Sequence, residues 1–373
     1  MKKIISIALA LLMVAVMLPV MAMAAEVTTA EDLKAAVAAG GEVTLGDNIT
    51  ASITIPKDKT VTLNLNGKTL TNEADMDTIT VALGGTLTIE GTGTVDNDSH
   101  GRAAVYNNGT VTINGGTYTR SAEKGTGKDP DSNNGNSWYT ICNHGVMTVN
   151  AGVTVTNTGT FSSVFENGYQ SYTGNNERSN YVAGTNNAAP ALTINGGTFE
   201  GGKITIKNDD GGILKIGGGR FTNNGNRVVF NANKAEINGG EFYCPATYFG
   251  NEIAVDTLYA DGGQNAGQLT ITGGTFDGKV TQSNGAVTTV SGGTFKKGVD
   301  KSYIVDGKKL DANGNVVPDT ITIIVPSEGG STTTTPSTDN TKNPSTGAND
   351  FVGVAAAMAV VSLLGAAAVI RKK

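Results

Sequence analysis

Charge and aromatic residues are both scarce in this chain. Charged side chains make up 16% of its 373 residues and aromatics 6%. There are two cysteines, two histidines and one tryptophan. Two cysteines exclude a scaffold held together by many disulfides. The 27 basic residues form no basic stripe, and the net charge is −6, which argues against a nucleic-acid partner. What is abundant is glycine, 51 residues of it, together with Thr and Asn. Glycine follows no strict three-residue period, so a collagen helix is excluded, and an apolar fraction of 38% is too high for a wholly disordered chain. The balance favours short β segments joined by frequent turns.

The two ends read as addresses. Residues 1–24 have the parts of a signal peptide: Lys2 and Lys3, the apolar run Ile4–Leu18, Pro19, then Ala22-Met23-Ala24 as a small-residue cleavage site. The other end runs Asn343-Pro344-Ser345-Thr346-Gly347, then the apolar stretch 351–370, then Arg371-Lys372-Lys373. Twenty helical residues span roughly 30 Å, one bilayer core, and the terminal cations favour the cytoplasmic side. Residues 327–342 are rich in Ser, Thr and Pro and read as an extended linker. Removing both ends at the expected cuts leaves 22 basic and 32 acidic side chains. An acidic body of this kind does not dock on anionic lipid.

Between the ends, one phrase recurs: aliphatic-Thr-Ile-Asn-Gly-Gly-Thr-Phe. Its copies lie at Val111–Tyr118, Leu192–Phe199, Leu214–Phe221, Ala235–Phe242, Leu269–Phe276 and Thr288–Phe295. Looser copies are Leu87–Val95 and Met147–Val155, and Val61–Leu65 reads as an edge copy centred on Leu65. The central aliphatics mostly recur every 19 to 24 residues, with longer steps of 36, 45 and 34. The 45-residue step is expected to hold about two coils. A second short apolar strand precedes most copies, as in Val105-Tyr106, Ile141-Cys142 and Val229-Phe230. One such unit cannot bury its apolar side, but stacked units can. The spacing therefore predicts ten to twelve stacked coils over 42–300. Tyr118, Phe199, Phe221, Phe242, Phe276 and Phe295 are expected as an internal ring ladder. Asn114, Asn150, Asn195 and Asn238 are expected as an amide ladder at the bends, with Asn107, Asn143, Asn208 and Asn231 as another. Cys142 and Cys244 then lie four coils or more apart, at least roughly 19 Å, too far to bridge.

Capping elements are expected at both ends of the array. Thr29-Ala30-Glu31-Asp32 opens a helix within 25–41 that Gly40-Gly41 stops. At the far end, 301–326 reads as a β cap, with strands at Tyr303–Val305, Lys309-Leu310, Asn315–Val317 and Thr320–Val325.

The repeat resembles the right-handed parallel β-helices of bacterial surface proteins and of the pectate-lyase-like fold. The fold it implies is all-β, a single right-handed parallel β-helix with a short N-terminal helical cap and a C-terminal β cap. The C-terminal order, 343–373, resembles the sorting signal of Gram-positive cell-wall proteins, with Asn343 in place of the usual Leu. That resemblance implies a sortase cut between Thr346 and Gly347 and attachment of Thr346 to peptidoglycan. The chain is accordingly expected to be an exported, wall-anchored adhesin that binds host or plant glycans or matrix proteins. The alternative is a polysaccharide lyase or hydrolase.

The residues supply no clear active site for that alternative. Asp209-Asp210 is the best carboxylate pair, and His100 and His144 are the only histidines, yet none falls in the order the pectin hydrolases use. Asp96-Asn97-Asp98 and Asp129–Asn133 alternate oxygen ligands but read as Asx-rich turns. No metal, cofactor or catalytic residue is assigned. Two long insertions carry the remaining candidates. Trp138 and Tyr139 end the first, Tyr169, Tyr172 and Tyr181 lie in the second, and such rings suit stacking on sugars.

Overall fold

Leu-Thr-Ile and its variants place an aliphatic side chain on one face of a strand and Thr on the other. Repeated in register, they build a wall. In a computed structural model, described over residues 25–121, 139–157, 163–168, 190–209, 211–223, 226–245, 252–258, 267–283 and 285–319, that wall is one of three parallel sheets. Sheet 1 has 11 strands, sheet 2 has 10 and sheet 3 has nine. The chain visits them in the order 1, 2, 3 and then returns to sheet 1 one coil further on, a parallel β-helix. Eleven strands at about 4.8 Å make a stack roughly 48 Å long. This folded unit ends at Pro318; the second unit, from Asp319, is described only at that residue.

The inward files are continuous. Leu63, Ile89, Ile113, Val149, Ile194, Ile216, Ile237, Ile271 and Val290 follow one another along sheet 1, each fully buried. Leu63, and not Leu65, is therefore the first central residue. Leu65 instead opens a wider turn through Asn66 and Gly67, both at positive φ. The 45-residue step is one coil, not two, because Val146–Val149 pairs directly with Ala191–Ile194. Most of its additional residues follow Phe165–Asn167 in sequence, a sheet 3 strand that the phrase itself does not mark.

In the coils from Ile194 onward the corner between sheets 1 and 2 is tight and of constant length. At Gly240 φ is +100°, and an added Cβ would sit 3.2 Å from the Gly219 carbonyl and 3.3 Å from the Phe221 and Phe242 rings. Only glycine fits such a position. Beneath this corner Phe199, Phe221, Phe242, Phe276 and Phe295 stack with centroids 4.8–4.9 Å apart and planes within 8°. Tyr118 does not join them. Val155 lies between it and Phe199 in the register, and its buried hydroxyl donates to the Gly115 carbonyl instead.

The second amide ladder is longer than the sequence suggested. Asn107, Asn143, Asn167, Asn208 and Asn231 are all buried, and each Nδ2 donates to the next Oδ1 at 2.7–2.8 Å. Each also donates to a backbone carbonyl where the chain re-enters sheet 1. The bend ladder is shorter. Asn150 donates to Asn114 and Asn195 to Asn150, but Gly217 occupies the next coil, so Asn238 turns to Glu236 and Thr272.

Helix Ala30–Ala39 covers the first coils with Leu33 and Val37 buried. Thr29 caps it by accepting from the Asp32 N–H, and Gly40 ends it at φ +86°. A strand, Ala25–Val27, precedes the helix and adds to the edge of sheet 1. At the other end Lys308–Leu310 and Val316–Pro318 form an antiparallel hairpin. Tyr303 closes a 3-10 turn, Lys301–Tyr303, instead of a strand, because the Asp300 carboxylate accepts from the Ser302 N–H and caps that turn. Residues 320–325 lie outside the described part.

Candidate functional site

Inward residues of sheet 3 leave every second side chain pointing out. The outward file reads Thr80, Tyr106, Cys142, Glu166, Lys207, Phe230, Asp256 and Thr281. Tyr106 is half-buried, but Cys142, Glu166, Lys207, Phe230 and Asp256 are all buried. Both long insertions attach here. The first, 122–138, returns into Ile141–Asn143, and the second, 169–189, leaves just past Phe165–Asn167; these two strands are neighbours.

Buried charge has to be paired, and on this face it is. Lys207 Nζ lies 2.5 Å from Asp209 Oδ2 and 3.2 Å from the Tyr139 hydroxyl, over whose ring it sits at 5.7 Å. Arg227 pairs with Asp256, which also accepts from Thr281 at 2.8 Å, and the Arg227 guanidinium lies 5.7 Å from the Phe230 ring centre. His144 joins neighbouring coils: Nδ1 is 3.1 Å from the Tyr106 hydroxyl and Nε2 is 3.4 Å from Glu166 Oε2. Burial, and then the Glu166 carboxylate, push the Cys142 thiol well above its ordinary range and disfavour the thiolate. Neither cysteine is in a disulfide, and both are buried.

The sequence candidates distribute unevenly. His144 and Asp209 belong to this face, in two linked pairs and not as one catalytic centre. His144 follows Asn143 as Asn108 follows Asn107, so it occupies a turn position. His100 is exposed on the corner between sheets 2 and 3. Tyr139 is half-buried against Lys207, so the ring that was expected to stack on sugar already covers a cation. Trp138, Tyr169, Tyr172, Tyr181, Asp210, Asp129, Asp131 and the motif Asn343–Gly347 lie outside the described residues. So does 351–370; among the described residues no helix is long and apolar enough to cross a membrane.

Asp96–Asp98 is a hydrogen-bonded turn. Asp96 accepts from the Ser121 N–H at 2.9 Å, and Asn97 Nδ2 donates to Met76 O, Ala103 O and Thr78 Oγ1. No group of three or more metal-ligating side chains occurs among the described residues. A concavity of about 660 Å³ runs over the tight corner above Gly219, Gly240, Gly274 and Gly293, flanked by Arg220 and Glu241.

Sequence reasoning missed Tyr106, Glu166, Lys207, Arg227 and Asp256 as a group. The available signal was the buried Asn of sheet 3. The residue before each of those five amides (Tyr106, Cys142, Glu166, Lys207, Phe230) belongs to the outward file. Comparison with family profiles, curated proteins and solved structures returned no match.

Proposed function

We propose that the chain is exported, joined to the cell wall through Thr346, and displayed as an adhesive β-helix that holds glycans or matrix proteins on the sheet 3 face. One observation supports the binding face: the outward file of sheet 3 concentrates ion pairs, and the two long insertions adjoin neighbouring strands of that sheet in sequence, one before Ile141–Asn143 and one after Phe165–Asn167. Insertions on a repetitive scaffold supply a binding surface without disturbing the stack. The ordered signals at the two ends support the address.

An array of glycans and matrix proteins probed with the secreted chain tests the binding face. Binding should disappear when 169–189 is replaced by a short Gly-Ser turn. Binding that survives this replacement places the ligand elsewhere. For the address, mass spectrometry of wall digests should find peptidoglycan fragments joined to Thr346. Chains that retain 347–373 in the membrane fraction would contradict it.

A further inference from the structure

The Phe and Tyr rings of the described residues are buried or half-buried, with one exception. Tyr243 is 42% exposed on the outer face of sheet 2. Its strand alternates, so Phe242 points into the ring ladder while Glu241 and Tyr243 point out. Among the described residues no other ring, hydrogen bond or ion pair engages the Tyr243 side chain. In register, Thr222 lies one coil before it and Asp277 one coil after. Both are short, so the ring stands clear of them.

Tyr243 borders the concavity over the tight corner. Glu241, two residues earlier on the same face, lines it, and so does Arg220, the register neighbour of Glu241 on the preceding coil. Both are exposed, and neither side chain makes a hydrogen bond or ion pair among the described residues. The floor is backbone. The N–H groups of Gly239, Gly240, Gly273 and Gly274 donate to no group among the described residues, and these glycines are only half-buried. Such donors are left for solvent or for a ligand. From Gly219 to Gly293 the trough crosses four coils, roughly 14 Å.

We infer that this trough is a binding subsite for an uncharged, equatorially linked oligosaccharide, with Tyr243 as its stacking platform and Arg220 and Glu241 as its hydrogen-bonding wall. This wall is not sheet 3, and its occupancy does not depend on the ligand of that face. A pyranose with equatorial substituents carries C–H bonds on its faces and hydroxyls on its edges. A C–H face packs on the phenol ring. The edge hydroxyls donate to the Glu241 carboxylate and accept from the Arg220 guanidinium and the glycine N–H groups. Charge selects against ions. Arg220 offsets Glu241, and Asp277 is paired with Lys296 at 3.2 Å, so the site favours neither sign. Shape selects the linkage. Corners of constant length in register make a straight trough, and a β-1,4-linked chain is a flat ribbon whose sugar unit is close to one coil in length. An α-1,4-linked chain of the same sugar curves away from such a floor.

Cellotetraose and maltotetraose make a matched pair of probes, equal in composition and different in linkage. Calorimetric titration of the full secreted chain should find cellotetraose bound about tenfold more tightly. Tyr243→Ala should weaken cellotetraose about tenfold, whereas Tyr243→Phe keeps the ring and should stay within about threefold of the parent. Glu241→Ala, on the same wall, should weaken it about fivefold. Both side chains are exposed, so the melting temperature should hold within about two degrees in all three variants. No binding of cellotetraose overturns the inference, as does equal affinity for the two tetrasaccharides or binding indifferent to Tyr243→Ala. Replacing 169–189 by a Gly-Ser turn separates the two walls. Cellotetraose binding should survive it. Binding lost with that insertion assigns the sugar to sheet 3 and overturns the trough. Binding that survives it and depends on Tyr243, in a chain with no ligand lost from the array, confirms the trough and overturns the sheet 3 face.

Discussion

Two ladders run along this β-helix on different walls, one of rings and one of amides. The rings, Phe199 to Phe295, occupy the last five coils of sheet 2. The amides, Asn107 to Asn231, occupy the middle of sheet 3. Both use the register of the stack to place like beside like, but their energetics differ. Ring burial is non-directional, so the ring position can be filled with Val95 or Val155 in earlier coils and still be packed. An amide in the interior has to be matched on both sides. Each Asn needs an acceptor on the next coil and a donor on the preceding one, and a missing partner leaves a buried polar atom exposed to its full desolvation cost. The amide ladder gives way to Val81 on one side and Thr257 on the other. At its last member, Asn231, the amide donates to the Gln268 carbonyl.

The largest effect expected from this difference is at Asn167. Asn167→Ala removes the donor to Asn208 Oδ1 and to Ile213 O, and the acceptor used by Asn143. Two buried amides and the part-buried Ile213 carbonyl lose a partner at about 1–3 kcal/mol each, so the loss should be on the order of 5 kcal/mol. Phe221→Ala comes next, at about 3–5 kcal/mol, with a cavity flanked by the Phe199 and Phe242 rings. Denaturant unfolding of both variants orders them. If Phe221→Ala proves the more costly, the two ladders do not differ in the way argued here, and an Ala at Phe221 that costs less than about 1 kcal/mol would remove the ring ladder from the account of stability. Asn150→Ala sharpens the same comparison, since this amide lies on the exposed bend and water replaces its partners. Its loss should stay below about 1 kcal/mol.

The ring ladder and the stacking were legible in the sequence because side-chain type and period coincide there. Phe recurs at one fixed place in a repeated phrase, and the pattern needs no knowledge of the intervening loops. Sheet 3 was legible only in fragments. Its strands are short and separated from the phrase by corners of variable length, so Asn167, in Phe165-Glu166-Asn167, carried no spacing signal. The same variability hid the outward file with Tyr106 and Glu166. Two errors have one cause: Leu65 and the 45-residue step were assigned by counting residues between phrases, whereas strand register decides where a coil closes. Gly217 interrupts the bend ladder at a coil where the phrase changes from Asn-Gly-Gly to Gly-Gly-Gly, which the sequence did display.

The smallest expected effect isolates charge from burial. The amides of sheet 3 are buried, neutral and matched, whereas Asp77, where the chain enters the same sheet, is a half-buried carboxylate. It accepts from the Ala103 N–H at 2.7 Å, and burial, outweighing that bond and the nearby Arg102 and Arg120, raises its pKa. A raised value means that the folded state holds the proton more tightly than the unfolded chain does. The stability this contributes is fully present below the ordinary carboxylate range and is lost as pH rises through the raised value. Asn has the same shape, can accept the same N–H bond and never ionises. Asp77→Asn should therefore match the parent at acid pH and exceed it increasingly as pH climbs through that window, with a constant difference above. Thermal unfolding of the two chains across that window measures this. A difference that runs the other way would mean that Arg102 and Arg120 outweigh desolvation, and that charge in this wall is as well matched as its amides.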